Sequence, residues 1–242
     1  EKDAYMDFEN RQPTYLHDAI AKFPAVFFDA DYGATSYGLS DVLEIDYNPE
    51  ITSDNQDKWN PTPKDFSLFI VFNPGHVSDP ESSEYSSYYT DGRQTIYEAG
   101  GPLSGCILYI TGQKFCAGLY NRFQSQFLIY DPKNNSSIYP IDPSKTYLAH
   151  LEYKADEKKF RFIISDGNNT EPSPFVEDFQ GMTKDEDQTG IGGACRTRFH
   201  DYNTGETYSA HLDGRIGDVL LYDEYLNQSE GVAVYNFLND RY

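Results

Sequence analysis

Short segments rich in Val, Ile, Leu, Phe and Tyr recur along the chain, each bounded by Gly, Pro, Asn, Asp or Ser, and this punctuation belongs to strands and turns. The segment Asp65 to Phe72 (DFSLFIVF) carries apolar residues on both faces of an extended chain, as a central strand covered on both sides does. It should lie in the core. Further strands are expected at Cys106 to Ile110, Lys114 to Tyr120, Gln126 to Tyr130, Thr146 to Tyr153 and Phe160 to Ser165. Turns such as Ala155-Asp156-Glu157-Lys158 and Asp166-Gly167 separate them, a rhythm that predicts an all-β sandwich or jelly roll. No repeat at a solenoid period is present.

Helix signals are few. Asn227, Gln228, Ser229 and Glu230 form a capping-box start, in which Asn227 accepts from an early amide and Glu230 reaches back. Val234, Phe237 and Leu238 are then expected on one face, laid against the sandwich. A second, short helix is expected over Tyr15 to Lys22, ahead of Pro24. The polar stretch Asn73 to Gln94 is too rich in Ser, Asp and Pro to pack and too long for an ordinary connection, so it reads as a functional or disordered loop.

The chain has 242 residues, 19 basic and 39 acidic, for a formal charge of −20. Nucleic acid is not expected as a partner, because phosphate binding needs clustered Lys and Arg. With 21 Tyr, 16 Phe and 1 Trp, the ring content is that of a folded domain rather than an acidic disordered tail. No run approaches the roughly 18 to 20 apolar residues of a membrane span, so membrane insertion is not expected. Glu1 opens the chain without Met or an apolar signal-type stretch, as expected of a processed or excised piece.

Three cysteines, Cys106, Cys116 and Cys195, leave at least one unpaired. Cys106 and Cys116 face each other only if the hairpin between them turns through a three-residue loop, Ile110 to Gly112. A two-residue turn moves the register by one and sends the sulfurs to opposite faces.

Three stretches suggest kinship: Arg11 to Ala30 (RQPTYLHDAIAKFPAVFFDA), FSLFIVFNP, and the ending from Ile191 (IGGACRTRF) through GRIGDVLLYDEYLNQSEGVAVYNFLNDRY. Together they closely resemble laminin-G-like domains of the concanavalin A-like jelly-roll superfamily. The order of an Ile-Gly-Gly strand, a polar loop, a Gly-x-Ile-x-Asp-Val strand, a Tyr-Asp turn and a terminal amphipathic helix is the most specific part. The resemblance covers residues 11–242, with 1–10 as an extension or linker. Such domains often carry a further strand and a Trp-containing segment before the Arg-Gln-Pro stretch, absent here, which implies a piece of a larger protein or a replacement of that strand by the first twenty residues. The resemblance implies two antiparallel sheets, one concave, and an extracellular or cell-surface setting.

That superfamily also contains glycoside hydrolases whose acids sit on one strand as Glu-x-Asp-x-x-Glu, so that alternation presents them on one face. The nearest string here, Glu44-Ile45-Asp46-Tyr47-Asn48-Pro49-Glu50, is one residue too long, and Pro49 interrupts the strand. Lys114 to Asn121 (KFCAGLYN) resembles a strand of jelly-roll alginate lyases, but that family's partner strands are absent. His17, His76, His150, His200 and His211 show no paired spacing for zinc or copper. Cys195 reads as a small buried residue, and Gly192-Gly193 as a strand start rather than a phosphate loop.

Hard cations need only carboxylates and carbonyls, so a structural calcium ion is a candidate cofactor. The resemblance implies Asp218 as a ligand, with Asp29 and Asp31 as weaker matches. The expected function is that of a non-catalytic recognition module, carbohydrate-binding or adhesive, in a larger surface or secreted protein, with an extracellular glycan or surface protein as ligand. A polysaccharide-degrading enzyme of the same superfamily and a structural spacer are the alternatives. Rings that stack on sugars beside hydrogen-bonding groups are found in Trp59 with Asn60, and in Tyr85, Tyr88 and Tyr89 with Arg93. Asn134, Asn135, Asn168 and Asn227 stand in glycosylation sequons.

Overall fold

A computed structural model describes residues 14–28, 43–45, 64–75, 77, 93–100, 104–111, 114–121, 124–130, 141–173, 175, 181–182, 189–193 and 212–242. The first strands are β1 (Thr14–Ile20), β2 (Phe23–Phe28), β3 (Leu43–Ile45), β4 (Phe66–Pro74) and β5 (Arg93–Gly100). They are followed by β6 (Ser104–Thr111), β7 (Lys114–Asn121), β8 (Gln124–Tyr130), β9 (Tyr147–Lys154) and β10 (Lys159–Ser165). The short β11 (Thr170–Pro172) and β12 (Thr189–Ile191), the long β13 (Gly214–Tyr222) and a helix α1 (Gln228–Arg241) complete the order. One sheet has seven strands, β1-β2-β13-β4-β9-β10-β11, and the other six, β3-β12-β5-β6-β7-β8, with every pair of neighbours antiparallel. The chain therefore forms the expected two-sheet antiparallel sandwich with a C-terminal helix.

Strand alternation builds the core. Phe66, Leu68, Ile70 and Phe72 of β4 and Tyr147, Ala149, Leu151 and Tyr153 of β9 point inward against Cys106, Leu108 and Ile110 of β6 and Phe115, Ala117 and Leu119 of β7. The intervening positions of β4 are buried too, because α1 covers Phe69, Val71 and Leu148 from outside with Leu238 and the flanking Val234 and Tyr235. β4 is thus the strand covered on both sides that its sequence indicates.

The helix starts as the sequence specifies. Asn227 Oδ1 accepts from the amides of Ser229 (2.9 Å) and Glu230 (3.2 Å), and Glu230 returns its carboxylate to the Asn227 N–H at 2.8 Å. Its buried seam runs through Val234, Tyr235 and Leu238, whereas Phe237 is 56% exposed, contrary to expectation. At 100° per residue, Phe237 lies roughly a quarter-turn or more to one side of that seam.

Pairing overturns one expectation and decides between the two cysteine alternatives. Tyr15 to Lys22 is not a helix: β1 and β2 form a hairpin in which Ile20 pairs with Phe23, and the two turn residues Ala21 (φ 47) and Lys22 (φ 71) both take left-handed conformations. Mirror-image two-residue turns suit the strand twist, but neither residue announces one in sequence. No disulfide joins Cys106 and Cys116. Thr111 pairs with Lys114, a two-residue connection that sets Cys106 opposite Leu119 and Cys116 opposite Tyr109, on opposite faces of the sheet. The expected extension, residues 1–10, lies outside the described residues.

Candidate functional site

The strand ends define two poles. At one, β2 ends at Phe28 opposite Gly214 of β13, β4 ends at Pro74, and β5 begins at Arg93. Backbone and side chain tie this pole together: the Gly75 N–H donates to Asp213 O at 2.8 Å, and the Asp213 N–H donates to Gln94 Oε1 at 3.1 Å. Asn73 Nδ2 donates to the carbonyls of Pro143 (2.8 Å) and Lys145 (2.7 Å), fixing the approach to β9. Gly192 (φ 75) donates to Ile96 O at 2.9 Å and accepts from the Leu212 N–H at 2.7 Å. A Cβ at Gly192 would stand 2.2 Å from Phe28 Cδ1, so only glycine permits this crossing. Gly192 is thus a packing position, and Gly192-Gly193 follows the end of β12 rather than starting a strand as its sequence suggests.

At the opposite pole β4 begins. Asp65 Oδ1 accepts from the Ala155 N–H at 2.7 Å, and Asn121 Nδ2 reaches Gly181 O at 2.7 Å. Met182 closes the same region by donating its N–H to Tyr153 Oη at 3.3 Å. β3 ends at Ile45, paired with Thr189, which is displaced toward this pole from the Ile191 to Tyr97 pairing.

Of the ligand-binding candidates, Arg93 opens β5 opposite Thr111. Trp59, Asn60, Tyr85, Tyr88 and Tyr89 lie outside the described residues, as do Asp29, Asp31 and the string from Asp46 to Glu50. Their points of attachment are nevertheless fixed. The segment carrying the three tyrosines leaves β4 and returns at Arg93, at the first pole; the segment carrying Trp59 leaves β3 and returns to β4 at the second. The poles are separated by the nine residues of β4, on the order of 27 Å. Asp29 and Asp31 follow β2 in sequence.

Asp218 lies mid-strand in β13, at the register irregularity between Ile216 and Val219. Its carboxylate is 3.2 Å from Arg241 Nε at the end of α1, and the Arg241 guanidinium also lies 4.9 Å from the Phe23 ring centre. A cation at Asp218 would therefore stand beside the Arg241 guanidinium. Among the described residues, no group of three or more His, Cys, Asp or Glu side chains converges to hold a metal.

Two polar clusters escape the sequence. In one, Asp166 accepts from Lys145 Nζ (2.8 Å) and from the amides of Asn168 (3.1 Å) and Asn169 (2.9 Å). Burial pushes its carboxyl up, but these donors outweigh that and hold it below the ordinary range. In the other, on the outer face of β9 and β10, buried Glu152 is paired with Arg161, and His150 Nε2 stands 3.8 Å from Glu152 Oε2. Burial lifts the Glu152 carboxyl against the pull of Arg161, and burial followed by Arg161 depresses His150 to about 3. Alternation in YLAHLEYK (Tyr147 to Lys154) places His150 and Glu152 on one face, yet only the distant helix makes that face interior. Cys106 offers no nucleophile: burial, then the Glu98 charge, push its thiol up.

No family model matches the chain, and no curated protein matches it. Solved structures do. The binding domain of botulinum neurotoxin serotype D superposes with a TM-score of 0.59 at 13% identity, over 93% of this chain and 44% of that one. The binding domain of botulinum neurotoxin DC in complex with SialylT gives 0.55 at 12% identity, over 94% and 45%. The same DC domain in complex with rat synaptotagmin II gives 0.56 at 11% identity, over 94% and 46%. The chain spans a little under half the length of these toxin chains. At such identities the likeness establishes the fold, a β-sandwich of the jelly-roll kind.

Proposed function

We propose that this chain is a non-catalytic recognition module, laminin-G-like in kinship, within a larger surface or secreted protein, and that it binds an extracellular glycan or protein. The observation that carries the reading is the first pole. There a rigid frame of β2, β4, β5 and β13, cross-tied through Gly75, Asp213 and Gln94, presents the two ends of a segment containing Tyr85, Tyr88 and Tyr89, with Arg93 at its root. Tyrosines among hydroxyl residues on a rigid scaffold supply stiff contact area beside adaptable hydrogen bonds. Neighbours in fold include a toxin domain solved with SialylT and one solved with synaptotagmin II, which supports both ligand classes. Trp59 and Asn60, in the segment between β3 and β4, serve as the comparison site. Calcium belongs to the proposal as a structural ion, with Asp29 and Asp31 as candidate ligands in the segment after β2 and Asp218 engaged by Arg241.

A glycan array and a panel of surface-protein ectodomains, each probed with and without calcium, test this reading. Replacing Ser82 to Thr90 by a short Gly-Ser bridge should abolish any specific binding while leaving the melting temperature nearly unchanged. Binding that survives the replacement places recognition elsewhere, and absence of binding in every panel favours the spacer alternative.

A further inference from the structure

The C-terminal helix rests on a histidine. His150 lies on the outer face of the seven-stranded sheet, stacked on Phe69 of β4 with ring centres 3.9 Å apart and planes at 14°. From above, α1 closes it in: a methyl group added at Gly231 would stand 3.9 Å from His150 Cε1. The side chain is 4% exposed, and its Nε2 has no hydrogen-bond partner. The groups around it come from every packed element. Beside it β9 supplies Glu152, and β10 supplies Arg161, which is engaged with that carboxylate. β13 and α1 bring the rings of Tyr222 and Tyr235, edge-on to Phe69 at 6.0 and 6.4 Å, and the first turn of α1 carries Glu230, whose carboxylate accepts from the Asn227 N–H. The connection into α1 adds Tyr225, under the Lys154 ammonium at 4.7 Å, and β4 adds Ser67, whose Oγ accepts from the Leu226 N–H at 3.0 Å.

We propose that this contact is an acid-sensitive latch: a proton on His150 is disfavoured while α1 is docked, so acidification favours release of the helix and uncovers the apolar sheet face of Phe69, Val71 and Leu148. An imidazolium there would be desolvated, with an aromatic face below and the helix above; Arg161 is held on Glu152 Oε1 beside it, and Glu152 Oε2 stands 3.8 Å from Nε2, beyond hydrogen-bond distance. Lifting α1 returns the ring to water and to its ordinary titration. The sign follows from linkage. His150 titrates near 6.5 when exposed and about 3 when docked, so the open form binds the extra proton and gains on the docked form as pH falls below 6.5. Glu152 works the other way at lower pH, because burial raises its carboxyl and the docked form takes up that proton first. The His150 contribution therefore sets in as pH falls through 6.5 and grows below it, with Glu152 opposing it.

Hydrogen exchange of the full chain at pH 7.5 and 5.0, corrected for intrinsic rates, tests the latch. The opening equilibrium of the α1 amides should rise by up to about thirtyfold from the higher to the lower pH, with α1 exchanging ahead of β4 and β6 at pH 5.0. His150→Phe, which keeps the stack and cannot titrate, should remove the rise, as should His150→Gln should the first variant fold poorly. Leu238→Ala keeps the histidine, and should raise opening at both pH values by the same factor. The proposal is overturned by a wild-type change smaller than about twofold, by an equal rise in the histidine variants, or by α1 exchanging only in step with β4.

Discussion

Strands β4 and β9 present two unlike faces. Toward the opposing sheet stand Phe66, Leu68, Ile70, Phe72, Tyr147, Ala149, Leu151 and Tyr153, packed with residues of β5, β6 and β7 in one apolar cluster. Toward α1 stand Ser67, Phe69, Val71, Leu148, His150 and Glu152, where five buried apolar residues share the interface with a histidine and an ion pair. The first face is sealed by two extended sheets whose registers fix each other. A single helix anchored by one fully seated side chain, Leu238, seals the second. Burial alone therefore does not rank the two, since both faces of β4 are closed to water. What ranks them is how much must move to open each, and the helix is the cheaper element to lift.

Four substitutions sharpen this contrast. Phe72→Ala should be the most damaging: its ring meets Phe115 and Tyr147 at 6.0 Å each, and the rigid surroundings cannot collapse into the space. A loss of about 3–5 kcal/mol in denaturant melts is expected, with the whole domain affected. Leu238→Ala should cost less, about 2 kcal/mol, and show itself mainly as exchange of α1. Asn227→Ala removes the acceptor for two helix amides and should cost about 1 kcal/mol, again confined to the outer layer. The smallest effect is of opposite sign. Lys22→Gly relieves a left-handed side chain at φ 71 and should stabilise the β1–β2 hairpin by about 1 kcal/mol or less. Equal effects of the first two substitutions on all amides would erase the distinction between the faces.

The inner layer was legible because strand alternation and turn chemistry are local. DFSLFIVF marks a doubly covered strand, and Asn227 with Glu230 marks a helix start, before any partner is known. The misread stretch, Tyr15 to Lys22, has no local signal for its turn, and pairing with β2 decides its conformation. The three-residue strands β3, β11 and β12 are too short to carry a period. The outer layer was half-legible: His150 and Glu152 alternate with core residues, but what buries them begins some eighty residues later in the chain. Phe237 shows the converse, a large ring that periodicity assigns to the seam and that three-dimensional packing leaves in water. Of the candidate site, the attachment of each segment to the sandwich comes from topology, which no spacing of tyrosines reveals.

The separation of the poles bears directly on recognition. Binding of one array-selected ligand should be compared for the full chain, Arg93→Ala and Trp59→Ala, after each variant is shown to melt with the full chain. Arg93→Ala should weaken binding by about tenfold or more, in keeping with loss of a charged anchor, while Trp59→Ala leaves it unchanged. Loss confined to Trp59→Ala, with Arg93→Ala binding normally, would contradict recognition at the pole where β4 ends and β5 begins.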